Sequence, residues 1–177
     1  MASKSKQKGS EFERKVCRLL SLWVTDLKRD DVFWRSSMSG GTATVSLKQG
    51  KMNRSQVGDI SMISPEGSNL IELFCVECKA YKDFLWDQMV YKKQGVFSRI
   101  WADLGTISSQ VDKCPMLIAK KDYTEIIVCL DQKGWELLRR GQKDRFEPAI
   151  VCPPFGMYVF LFKELLNGVD ASRGLAV

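Results

Sequence analysis

Residues 57–79, VGDISMISPEGSNLIELFCVECK, decide the fold. Residues 57–63 alternate, with Ile60 and Met62 on one side and Asp59 and Ser61 on the other, the period of a half-buried strand. Ser64-Pro65-Glu66-Gly67 carries turn chemistry, a proline of fixed φ with a glycine shortly after it. Residues 70–78 then run through Leu, Ile, Phe, Cys and Val, which predicts a central strand covered on both faces. The expectation is two strands joined by a tight turn. One acid lies on the first strand, and an acid and a lysine close the second.

Charges at the end of such a run need a reason. Glu77 and Lys79 are two apart on a strand and share a face. An adjacent antiparallel strand would bring Asp59 beside them. Two carboxylates there hold a hard divalent cation, and a lysine orients or deprotonates a water. Burial of these groups is costly unless they pair or bind metal. On its own, the E-x-K triplet is better read as a strand end whose acid and lysine reach solvent, since both residue types are common. Gly58-Asp59, the turn and the apolar strand in that order favour the cluster.

Asp59 followed by Glu77-Cys78-Lys79 resembles the core motif of the PD-(D/E)XK nuclease superfamily. Upstream, Lys8-Gly9-Ser10-Glu11-Phe12-Glu13-Arg14 and Phe33-Trp34-Arg35-Ser36-Ser37 resemble segments of the Holliday junction resolvases of archaea and their viral relatives. The resemblance spans about residues 8–120. It implies an α/β, restriction-endonuclease-like core, a mixed β-sheet flanked by helices, with extra C-terminal elements. It further implies that Asp59, Glu77 and the Cys78 backbone carbonyl hold Mg²⁺, with Mn²⁺ as substitute. Glu13 would hold a second ion or its water, Lys79 would position the attacking water, and Arg35 with Ser36 would grip a phosphate. The implied activity is endonucleolytic cleavage of DNA, most sharply of four-way junctions in recombination and repair. Junction resolution needs two sites on opposing strands, hence a homodimer. A related endonuclease acting on other branched or duplex DNA would use the same residues. A DNA-binding module without cleavage is the alternative from another class.

Composition sets the outer bounds. One domain of 177 residues is long enough to bury a real core. Lys and Arg exceed Asp and Glu by 27 − 21 = 6, and the pI is about 9.0, which suits a polyanionic partner. There is no histidine, which removes Ser-His and Cys-His nucleophile pairs and every His-ligated zinc site. The six cysteines lie mostly in apolar runs, and Cys75 and Cys78 face opposite ways on a strand. Buried thiols of a reducing cytoplasm are expected, rather than a zinc or redox site. No apolar stretch is long enough to span a bilayer.

In chain order, residues 1–8 read as a flexible basic tail whose Lys8 can touch phosphates, and 9–170 as one nuclease domain. A helix is expected from Ser10, with Ser10 and Glu13 as a capping box, Glu11 as the fallback acid, and Phe12, Val16, Leu19, Leu20, Trp23 and Leu27 in its apolar stripe. A short strand over 31–37 leads to Arg35. Residues 38–56 read as a basic loop or hairpin, longer than its resolvase counterpart, that carries Lys48, Lys51 and Arg54 toward DNA. Beyond Lys79, Tyr81, Phe84, Trp86 and Tyr91 lie among Lys82, Lys92, Lys93 and Arg99, a pattern that suits either base stacking or a core with a solvated face. Phe97, Ile100, Trp101 and Leu104 have helical spacing, and Gln110 beyond them is a further candidate near the metal. Strands are expected over 115–120, 125–130, 149–152 and 157–162, helices over 133–141 and 162–167, and a frayed tail over 171–177.

Overall fold

A computed structural model describes residues 4–36, 57–83, 95–143 and 146–176. Helix α1 (Lys4–Val24) turns Phe12, Val16, Leu20 and Trp23 inward. Strand β1 (Phe33–Arg35) and strand β2 (Ile60–Met62) form a two-stranded antiparallel sheet in which Arg35 faces Ile60. A 3₁₀ turn (Pro65–Gly67) and a short helix α2 (Ser68–Leu73) lead into β3 (Phe74–Tyr81). Helix α3 (Val96–Gln110), β4 (Cys114–Lys121), β5 (Ile126–Leu130) and α4 (Gln132–Arg139) follow. The chain continues with β6 (Ile150–Cys152), β7 (Met157–Leu161), α5 (Phe162–Gly168) and α6 (Ala171–Gly174).

The main sheet has five strands in the order β3-β4-β5-β7-β6. β3 and β4 are parallel, so the chain must cross over between them, and α3 lies in that crossover. The other pairings are antiparallel, which makes the sheet mixed. Alternation along the strands separates two apolar layers. Val76, Cys78, Met116, Ile118, Val128 and Phe160 pack with α1, α4 and α5. Cys75, Leu117, Ala119, Cys129 and Val159 pack with Phe97, Trp101 and Leu104 of α3. Cys75 and Cys78 thus lie in opposite layers, and all six cysteines are free. This is the α/β, helix-flanked mixed sheet expected of a restriction-endonuclease-like core.

Four local expectations are corrected. The run over 70–78 is not one strand: Ser68–Leu73 is helical and the strand begins at Phe74. A helical turn buries Leu70 and Ile71 while leaving Glu72 exposed, whereas a strand covered on both faces would bury that carboxylate. β2 pairs with β1 rather than with β3. The first helix begins at Lys4, so Ser10 lies inside it and builds no capping box, and Lys8 belongs to an ordered helix rather than to a tail. Residues 171–174 form α6, and Val169, Ala171 and Leu175 are buried in the main core, so 171–177 is no frayed tail as far as Ala176.

Candidate active site

Asp59 is fixed by its backbone before its carboxylate does anything. Its N–H donates to the Val76 carbonyl at 2.8 Å, and its own carbonyl accepts the Ser36 N–H at 2.8 Å. Gly58 precedes it at φ 106°, so close to β3 that a Cβ would sit 2.6 Å from the Val76 oxygen. Only glycine accepts both the conformation and the approach. The carboxylate then folds back onto the same strand, where Oδ2 accepts the Cys78 N–H at 2.8 Å, and the residue is only 4% exposed. A strand residue's N–H and C=O point to the same edge, so the Cys78 carbonyl faces the edge along which Asp59 runs.

Glu77 and Lys79 lie on one face of β3, at its free edge. Lys79 Nζ stands 3.6 Å from Asp59 Oδ2 and pairs closely with Glu77. Burial pushes the Glu77 carboxyl up, the Asp59 charge adds to the rise, and Lys79 pulls the other way. For Lys79, burial opposes the ammonium, but Glu77 and Asp59 outweigh it and hold the group firmly protonated. Glu13 approaches from α1, near enough for its charge to raise Glu77 further. Its carboxylate, 13% exposed, accepts a hydrogen bond from Arg35 Nε at 2.6 Å. Arg35 in turn is placed from behind. Ser21 Oγ, fully buried, accepts the N–H groups of Val32 and Phe33 at 3.0 Å each and donates to the Cys17 carbonyl at 2.8 Å.

The structure therefore gathers Glu13, Arg35, Ser36, Asp59, Glu77, Cys78 and Lys79, drawn from α1, the β1–β2 pair and β3. The donors are carboxylate and carbonyl oxygens, the set a hard divalent cation prefers. Among the described residues, no three His, Cys, Asp or Glu side chains already form a metal cage. Lys79 engages Asp59 and Glu77, and Arg35 engages Glu13.

A family model described as "Phage putative PDDEXK endonuclease" matches residues 4–164. The chain belongs to this family. No curated protein and no solved structure matches it. Membership in the PDDEXK endonuclease family makes the chain a nuclease with DNA as its substrate class, and PD-(D/E)XK nucleases generally use divalent metals. Among the described residues, no helix is long and apolar enough to cross a membrane.

Other expected positions fall elsewhere. Lys8 pairs with Asp122, and Lys82 is exposed just past β3. Glu11 is exposed on α1. Gln110 ends α3 near the start of β4, where Cys114 pairs with Phe74, so it sits at the end of the sheet away from Lys79. Lys48, Lys51 and Arg54, and the aromatics Phe84, Trp86 and Tyr91, lie outside the described residues. Sequence reasoning missed Ser21 as the anchor of β1. Its signal was a hydroxyl beside Leu20 in the apolar stripe of a helix, where a polar group needs partners.

Proposed function

We propose that the chain is a Mg²⁺-dependent DNA endonuclease whose preferred substrate is a four-way junction, cut by a homodimer. The observation that carries the catalytic reading is Lys79, held between the carboxylates of Asp59 and Glu77 at the edge of β3. Asp59, Glu77 and the Cys78 carbonyl would hold the ion, with Glu13 as a further ligand directly or through water. When bound, the ion supplies stabilisation of charge on the scissile phosphate and lowers the pKa of water. Without a cation, Glu77 and Asp59 favour the charged form of Lys79, whose ammonium carries donors. We assign Lys79 to positioning the attacking water by hydrogen bonding. Arg35, at the rim of the cluster, is suited to bidentate contact with a phosphate. Lys48, Lys51, Arg54 and Lys82, with the net positive charge, are proposed to hold the DNA backbone.

The junction preference is supported by the two resolvase-like segments, which meet in the Glu13–Arg35 ion pair. A four-way junction and a linear duplex, each incubated with Mg²⁺ or with EDTA, test the whole reading. Paired nicks on opposing strands of the junction, absent in EDTA, are expected. Equal cutting of both substrates would leave the nuclease and remove the junction preference. DNA binding without cutting in either Mg²⁺ or Mn²⁺ would overturn the enzyme.

A further inference from the structure

We propose that Arg35 is a substrate-released latch: paired with Glu13, it neutralises that carboxylate beside the metal site until a DNA phosphate takes the guanidinium. The inference rests on the metal-dependent reading of the site and adds an order of assembly to it. Glu13 and Arg35 come from different elements and meet at 2.6 Å, with the carboxylate the more enclosed partner, 13% exposed against 30% for the arginine. The carboxylate is thus the more sheltered partner, and Arg35 the one more open to an incoming phosphate. Arg35 also sits one residue from Ser36, whose N–H is bonded to the carbonyl of Asp59. A phosphate that draws on Arg35 therefore arrives beside the same backbone that carries a metal ligand.

Charge counting gives the latch its direction. Glu13, Asp59 and Glu77 taken as carboxylates, against Arg35 and Lys79 as cations, leave one negative charge. Removing Arg35 to a phosphate leaves two, equal and opposite to one divalent cation. Glu13 pairs with Arg35, whose neighbour Ser36 donates its N–H to the Asp59 carbonyl, so the released carboxylate lies on the side of the site that carries Asp59. By linkage, if DNA raises metal affinity through Arg35, metal raises DNA affinity by the same factor. Cation binding before substrate is then weak, and the hydrolytic site assembles on DNA.

Calorimetric titration of Ca²⁺, a probe chosen for binding without turnover, tests this on the full chain. Arg35→Gln without DNA is expected to bind Ca²⁺ about tenfold more tightly than wild type, within the usual range of coupling between sites. The double variant Glu13→Gln/Arg35→Gln is expected to lose that gain, because no carboxylate is left to release. In wild type, a junction DNA should tighten Ca²⁺ binding by a similar factor, and Arg35→Gln should show little further tightening. Unchanged or weaker Ca²⁺ binding by a folded Arg35→Gln overturns the latch while leaving the metal site standing. Should that variant fail to fold, the wild-type coupling decides alone: no tightening by DNA overturns the latch. A wild-type chain that binds no Ca²⁺ with or without DNA overturns both the latch and the metal-dependent reading.

Discussion

Lys79 is the side chain whose removal most cleanly separates chemistry from binding. Its ammonium is held by Glu77 and Asp59. Lys79→Ala is expected to lower junction cleavage at least about a hundredfold, the scale of losing one preorganised donor at a developing charge. Junction affinity in a gel-shift assay should stay within about threefold, since phosphate contacts elsewhere set it. Glu77 makes a pH prediction. Its carboxyl is pushed up in the folded chain, so it favours folding most below the unfolded pKa and loses that contribution as pH rises through the folded value. Lys79 stays charged across this window and adds no pH dependence of its own. In EDTA, the thermal stability of wild type should therefore fall relative to Glu77→Gln as pH rises above the ordinary glutamate range, to be read from parallel melting curves. A constant difference would show that Glu77 is not strained by burial. The shared face of Glu77 and Lys79 was legible from a two-residue spacing on a strand, whereas Asp59 reaches them not through the antiparallel strand pairing expected but through the close approach at Gly58. Ser21 was not, since its partners are backbone groups of residues 32 and 33, which no side-chain pattern announces.

At the scale of elements, the site depends on a glycine as much as on its acids. Gly58 puts Asp59 against β3, and a Cβ there meets the Val76 carbonyl at 2.6 Å with φ at 106°. Gly58→Ala is expected to cost about 1–3 kcal/mol in urea unfolding, the range for a residue held in an unfavourable backbone region, and to reduce cleavage as Asp59 shifts. Gly105, in the middle of α3 with nothing within 4 Å of a built Cβ, provides the contrast. Gly105→Ala should stabilise by about 0.5–1 kcal/mol through helix propensity alone. Equal effects at the two positions would mean that the close approach at Gly58 is not real. The strands β4, β5 and β7 could be read directly, being apolar runs bounded by polar or turn residues. The helix α2 could not, because six helical residues run straight into β3 and a short apolar run has no period to separate them. The early start of α1 was hidden for a related reason: Ser10 and Glu13 offer a local cap, but Lys8 finds Asp122 across the fold and sits in a helix already begun.

At the scale of the whole molecule, the C-terminal third, which the family model matches as far as residue 164, builds the far half of the sheet and closes the core on α1. Phe160 of β7 lies 4.6 Å from Trp135 of α4 and 5.4 Å from Phe146, ring centre to ring centre. Trp23 of α1 donates its indole N–H to the Val169 carbonyl at 2.8 Å, tying the helix that carries Glu13 to residues near α6. Sequence patterning undervalued this region because its apolar residues, Val169, Ala171 and Leu175, are scattered singly among polar ones, with no stripe long enough to mark an amphipathic element. Two leucines distinguish a packed region from a tail. Leu175 is 4% exposed within the main core, whereas Leu27, at φ 64° beyond α1, is 77% exposed. Leu175→Ala is expected to lower the unfolding free energy by about 2–4 kcal/mol, the loss typical of emptying a buried leucine site. Leu27→Ala should change it by less than about 0.5 kcal/mol, as surface substitutions do. Denaturant titration of the two variants checks the pair. If Leu175→Ala is as mild as Leu27→Ala, the C-terminal residues do not close the core, and the support they lend through Trp23 to the placement of Glu13 falls with them.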